Sequence, residues 1–176
     1  MSSVERVTVL KSAIRDIPDF PKKGIVFKDI TTLLKDRRAF REAMDLFADM
    51  CQRARPDKVV AIESRGFILG SVLADRLGAG FVPVRKRGKL PGGRIGCTYD
   101  LEYGTDCLEI HEDALERGER ALVVDDLIAT GGTARATGQL VAQLGAELAG
   151  YGFLVELTFL GGREKLAGTV MSLIRY

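Results

Sequence analysis

Asp125, Asp126, Thr130, Gly131, Gly132 and Thr133 stand close together in the segment VVDDLIATGGTARA (123–136), and their types suit a ligand with two unlike ends. The Thr-Gly-Gly-Thr run follows an apolar stretch and opens a helical one. Backbone N–H groups, hydroxyls and the positive end of a helix dipole would converge there on an anion, with glycine allowing close approach. Alone, such a run also serves as an ordinary helix cap. The two carboxylates narrow the choice, because they repel a phosphate unless they meet a different part of the ligand, and ionised carboxylates only accept hydrogen bonds. A vicinal diol satisfies them, as does a bound metal. A phosphate at one end and two hydroxyls nearby describe ribose 5-phosphate.

A second charged feature lies between Asp75 and Asp100, where Arg76, Arg85, Lys86, Arg87, Lys89 and Arg94 occur with no acid among them. Composition alone reads this as a solvated basic loop, and function reads it as a site for a compact polyanion. Other phosphate chemistries find no support. A Walker loop requires glycine where Pro83 stands, and no G-x-G-x-x-G opens a helix. The single histidine, His111, and three cysteines, Cys51, Cys97 and Cys107, lack the spacing of a zinc site or a disulfide scaffold.

The elements that position these residues follow from periodicity. Arg38–Arg53 carries Phe40, Met44, Phe47, Met50 and Cys51 on one helical stripe, and Pro56 stops it. Residues 58–62 (KVVAI) read as a strand, Glu63–Gly66 as a turn, and Leu69, Val72, Leu73 and Leu77 as the stripe of a helix ended by Gly78. Phe81–Val84 starts another strand. Downstream, Ala121–Val124 reads as a strand, 126–132 as a loop, Thr133–Leu144 as a helix ended by Gly145, and Ala146–Leu157 as a strand. Strand, loop, helix, strand repeated twice predicts an α/β fold with a mainly parallel sheet flanked by helices. Ligands in such sheets bind at the carboxyl ends of strands, which singles out Glu63–Gly66 and Asp125–Gly132. The glycine-rich stretch Arg85–Gly118 predicts a lid or two-stranded flap.

With 176 residues and 46% hydrophobic content, the chain is expected to form one domain, 1–176. A mean hydropathy of +0.05 and a charged fraction of 28% predict a soluble protein. The N-terminus lacks the apolar stretch of a signal peptide and no segment approaches the roughly 20 apolar residues of a membrane span, so the expected location is cytoplasmic, without membrane contact. The net charge of +2 predicts no general affinity for nucleic acid.

The segment 123–136 resembles the 5-phosphoribosyl-1-pyrophosphate (PRPP) binding motif of the type I phosphoribosyltransferases. The whole chain is similar to the adenine phosphoribosyltransferase family through DFPKKGIVFKDIT (19–31), ESRGF (63–67), VRKRGKLPG (84–92), YDLEYG (99–104) and LVELTFLGGREKL (154–166), in that family's order. The resemblance implies the type I phosphoribosyltransferase fold, with an N-terminal base-binding hood at about 1–35, a catalytic lid at about 88–112, and a homodimer. The implied reaction joins adenine and PRPP to give AMP and pyrophosphate, with magnesium. Carried over by position, it implies that Asp125 and Asp126 bind the ribose hydroxyls and that Ala129, Thr130, Gly131, Gly132 and Thr133 cradle the 5-phosphate. Arg65, Lys86 and Lys89 would face pyrophosphate. Glu102 would act as general base with Tyr103 closing the site, and Val26, Phe27, Lys28 and Leu157 would hold adenine. No metal ligand is assigned to the chain itself, magnesium being expected mainly through PRPP and water. The alternatives are the same chemistry on hypoxanthine, guanine, xanthine or orotate, a PRPP-sensing protein without turnover, and a purely structural module.

Overall fold

The computed structural model describes residues 2–101 and 104–176; Glu102 and Tyr103 lie outside the described residues. Two compact units divide the chain, Met1–Leu46 and Phe47–Tyr176.

The larger unit is built on a seven-stranded sheet. Its strands are β3 (Lys58–Ile62), β4 (Gly80–Lys86), β5 (Arg94–Leu101), β6 (Gly104–His111), β7 (Arg120–Ile128), β8 (Glu147–Glu156) and β9 (Val170–Arg175), in the order β5-β6-β4-β3-β7-β8-β9. The five strands from β4 to β9 run parallel, and the hairpin β5–β6 adds antiparallel to β4 through Arg85↔Glu109 and Lys86↔Leu108. Leu122, Val123 and Val124 on β7 are wholly buried, as a central parallel strand covered on both faces requires.

Helix α4 (Arg65–Leu77) returns β3 to β4, and α5 (Gly132–Gln143) returns β7 to β8. The two crossovers leave neighbouring strands in opposite directions, so the sheet has its switch point between β3 and β7. Leu69 and Leu73 of α4 are buried as expected, whereas Val72 and Leu77 are only half-buried. The closest face of α4 is instead its small-residue row, Gly66, Gly70 and Ala74. A Cβ at Gly70 would come within 2.5 Å of Ala61 Cβ on β3. Gly78 ends the helix in the left-handed conformation, φ 65°.

Two boundaries differ from the sequence expectation. Strand β7 runs to Ile128, so Asp125 and Asp126 belong to the strand and only residues 129–131 separate it from α5. Helix α4 begins at Arg65, inside the expected turn.

The smaller unit contains α1 (Ser3–Ser12), the antiparallel hairpin β1 (Arg15–Pro18) and β2 (Val26–Asp29), α2 (Thr31–Lys35) and most of α3 (Arg37–Cys51). Ser2 and Glu5 form a capping box at the start of α1. Asp29 closes the hairpin by accepting from Arg15 Nε at 3.2 Å and from Thr31 N–H at 2.9 Å. Among the described residues, no helix is long and apolar enough to cross a membrane.

Candidate active site

The carboxyl ends of β3 and β7 open into a cleft of about 420 Å³, lined by Glu63, Ser64, Arg65, Lys86, Tyr99, Asp106, Asp125, Asp126 and Thr133 among others. Beside it a smaller cavity of about 100 Å³ is lined by Asp125 and by Leu127 through Ala134. The acidic pair thus stands between a glycine-rich turn on one side and cationic groups on the other. That arrangement depends on close packing at two glycines. A Cβ on Gly66 would meet Asp125 Oδ1 at 2.8 Å and Val124 O at 3.2 Å, so only glycine lets α4 start against the acidic strand. Gly131 takes φ 81°, a left-handed turn that points the chain into α5.

Asp126 is buried, 5% exposed, and accepts from Arg65 Nε at 2.6 Å. Asp125 Oδ1 accepts the Asp126 N–H at 2.8 Å. Burial first, and the neighbouring Asp126 charge second, hold the Asp125 carboxyl well above the ordinary carboxylate range. A group in that state exchanges hydrogen bonds readily with a hydroxyl.

Lys86, Lys89 and Arg85 are each engaged with an acid. Lys86 Nζ lies 3.2 Å from Asp106 Oδ2. Glu63 Oε1 accepts from Lys89 Nζ at 2.9 Å and from Arg85 Nη2 at 3.2 Å, while its Oε2 accepts the Lys86 N–H at 3.1 Å. Burial opposes ionisation of Glu63, yet the hydrogen bonds from Arg85, Lys89 and Lys86 N–H outweigh it and bring the carboxyl down to about 2. Lys89 does not line the cleft itself and joins it through Glu63. Arg87 is exposed, and its backbone N–H donates to Cys107 O at 3.0 Å. His111 Nε2 lies 2.8 Å from Pro91 O, away from the cleft lining.

The remaining expected positions fall elsewhere. Val26, Phe27 and Lys28 lie on β2 in the smaller unit, where Phe27 packs edge-on against Phe20 with centroids 5.2 Å apart and Lys28 Nζ donates to Asp16 at 2.7 Å. Leu157, half-buried after β8, donates its N–H to Ile128 O at 3.0 Å. Tyr99 and Asp106 are cleft residues outside the two loops that the sequence singled out, whereas Glu63 opens the first of those loops. Glu63 was inside the ESRGF block. Asp106 needed strand register: Leu108 pairs with Lys86, and Asp106 sits two residues along the same face of β6.

The phosphoribosyl transferase domain family matches residues 29–170. The chain belongs to the phosphoribosyltransferase family. It is 59% identical over 170 residues to an adenine phosphoribosyltransferase of Nostoc punctiforme, covering 95% of this chain and 99% of the relative. The crystal structure of adenine phosphoribosyltransferase from Rhodothermus marinus superposes with a TM-score of 0.93 at 50% identity, covering 98% of this chain and 99% of that one. The Saccharomyces cerevisiae enzyme, solved with an imino-altritol bisphosphate and adenine, gives a TM-score of 0.93 at 44% identity, with 97% and 99% covered. The family's mainly parallel sheet with flanking helices is the architecture described above.

Proposed function

We propose that the chain transfers the phosphoribosyl group of PRPP to adenine, giving AMP and pyrophosphate. The observation that carries the reading is the order of groups around Asp125 and Asp126. A phosphate-sized glycine turn lies on one side and the Arg65 and Lys86 cations on the other, the sequence of chemical groups found along PRPP. In this reading Asp125 and Asp126 take the ribose hydroxyls and Ala129 to Thr133 hold the 5-phosphate on the N-terminus of α5. Arg65, Lys86 and Lys89 turn from their carboxylate partners to pyrophosphate, whose negative charge they stabilise as it leaves. Val26, Phe27, Lys28 and Leu157 hold the base, supported by the likeness to a relative solved with adenine.

The reaction breaks the bond from the anomeric carbon to pyrophosphate oxygen and forms one to a ring nitrogen of adenine. Glu102 accepts the proton that this nitrogen loses, and Tyr103 helps to exclude water from the oxocarbenium-like centre. Magnesium belongs to the same proposal. Magnesium would reach the site mainly through PRPP oxygens and water, where it would supply charge neutralisation. A cytoplasmic homodimer completes the proposal.

Formation of the corresponding nucleoside 5′-monophosphate, and release of pyrophosphate, from PRPP and magnesium are to be measured with adenine, hypoxanthine, guanine, xanthine and orotate in turn. Turnover confined to adenine is the expected result, because a site that pairs with an amino edge rejects an oxo group there. Absence of any nucleotide would leave a PRPP-sensing protein, and turnover of another base would move the adenine assignment.

A further inference from the structure

Residues 157–166 lead from β8 toward β9 through two short 3-10 turns, and they lie directly behind the glycine turn. Gly162 is buried. A Cβ on it would strike the Ala129 carbonyl and come within 2.9 Å of Gly131 N, while a Cβ on Gly131 would strike Gly162 O. Two backbones are thus in contact with no side chain between them. The direction of the amides in the 129–132 turn depends on where Gly162 sits.

Gly162 is held through the next residue. Arg163 donates Nε to Glu156 Oε1 at 2.8 Å and Nη2 to Glu156 Oε2 at 2.6 Å, a two-pronged ion pair. Its Nη1 donates to Val170 O at 2.6 Å and its Nη2 to Ser172 Oγ at 3.3 Å. Arg175 Nε adds a second cation to Glu156 Oε2 at 3.1 Å. The Glu156 side chain is only 5% exposed, and its one carboxylate ties together the end of β8, the end of β9 and the segment carrying Gly162.

We propose that the Arg163–Glu156 pair is a positioning device for the phosphoribosyl donor: it holds the Gly161–Gly162 backbone against the Ala129–Gly131 turn and so sets affinity for the 5-phosphate. The proposal rests on the reading of Ala129 to Thr133 as the 5-phosphate cradle. Neither Arg163 nor Glu156 needs to touch the ligand. They act through the turn, where a displacement of about 1 Å is enough to cost up to about 100-fold.

The test compares Arg163→Met, Arg163→Lys, Gly162→Ala and Thr133→Val in the full chain. KM for PRPP and kcat are read in the forward direction, and KM for AMP and for pyrophosphate in the reverse direction with magnesium present. Arg163→Met and Gly162→Ala are expected to raise KM for PRPP and AMP by about 10- to 100-fold. KM for pyrophosphate at saturating AMP, and kcat, should stay within about threefold. Arg163→Lys keeps the charge without the planar fork and should fall between. Equal losses on AMP and pyrophosphate would point to general disruption and overturn the proposal, as would an unchanged KM for AMP in Gly162→Ala. If Arg163→Met does not fold, Arg163→Lys decides for the ion pair and Gly162→Ala for the backbone contact: an unchanged KM for AMP in either overturns the proposal. Thr133→Val separates the two readings. No effect on AMP there sinks the cradle itself, whereas weakened AMP beside a normal Gly162→Ala sinks only the positioning role.

Discussion

Asp125, proposed to meet a ribose hydroxyl, would serve binding at the expense of stability. Burial, and then the charge of Asp126, raise its carboxyl well above the range it has in an unfolded chain. The unfolded group ionises near pH 4, so above that pH the folded state holds more protons and loses stability as pH rises. Asparagine removes that penalty. Asp125→Asn should therefore melt above the parent at pH 7, with the difference vanishing below about pH 4, where both states are protonated. Calorimetry on the same variant should show weaker PRPP binding. Equal melting temperatures across that range would contradict the assigned burden. Glu102 makes the opposite case, a residue whose proposed role is wholly chemical. Glu102→Gln should lower kcat by about 10² to 10⁴ with PRPP still bound, and parental turnover would remove Glu102 as the base.

Between elements, the decisive contact is the start of α4 against β7. Gly66→Ala would put a methyl group 2.8 Å from Asp125 Oδ1 and 3.3 Å from its Cα, so either the helix start or the acidic strand must move. The expected result is a KM for PRPP raised about tenfold or more with secondary structure unchanged, and a parental KM would show that the contact yields cheaply. The reason for this glycine was not legible in the sequence, although the elements on either side were. Strands β3 and β7 were readable as apolar runs, and α4 and α5 as periodic segments stopped by Gly78 and Gly145. The end of β7 was misread because Asp125 and Asp126 interrupt its apolar pattern. Its pairing with β8 nonetheless continues, through Asp125↔Phe153, Leu127↔Val155 and Ile128↔Glu156. The hairpin β1–β2 was missed for a different reason: its strands are four residues each and mostly exposed, leaving no alternation to detect. Helix α1 did carry a usable signal, Ser2-x-x-Glu5, which went unread. In the site, the residues contiguous in sequence were legible. Tyr99 and Asp106 emerged only when the strands of the sheet brought them to the cleft.

At the scale of the whole molecule, the proposed homodimer predicts a sedimenting mass of twice the 19.2 kDa chain, and a monomer at micromolar concentration would remove that part of the proposal. The cleft also has an electrostatic consequence beyond the identity of its ligands. Arg65 is paired with Asp126, Lys86 with Asp106, and Lys89 and Arg85 with Glu63, so the charges of the cleft balance one another within it. Such a site projects little field into solvent, and attraction over distance contributes little to the encounter rate. A lone inorganic phosphate would have to separate these pairs while replacing few of their hydrogen bonds. PRPP, with charge at both ends and a diol between, offsets several separations in one event. Discrimination against the small anions of the cell is thus already present in the closed ranks of acids and bases that await the substrate.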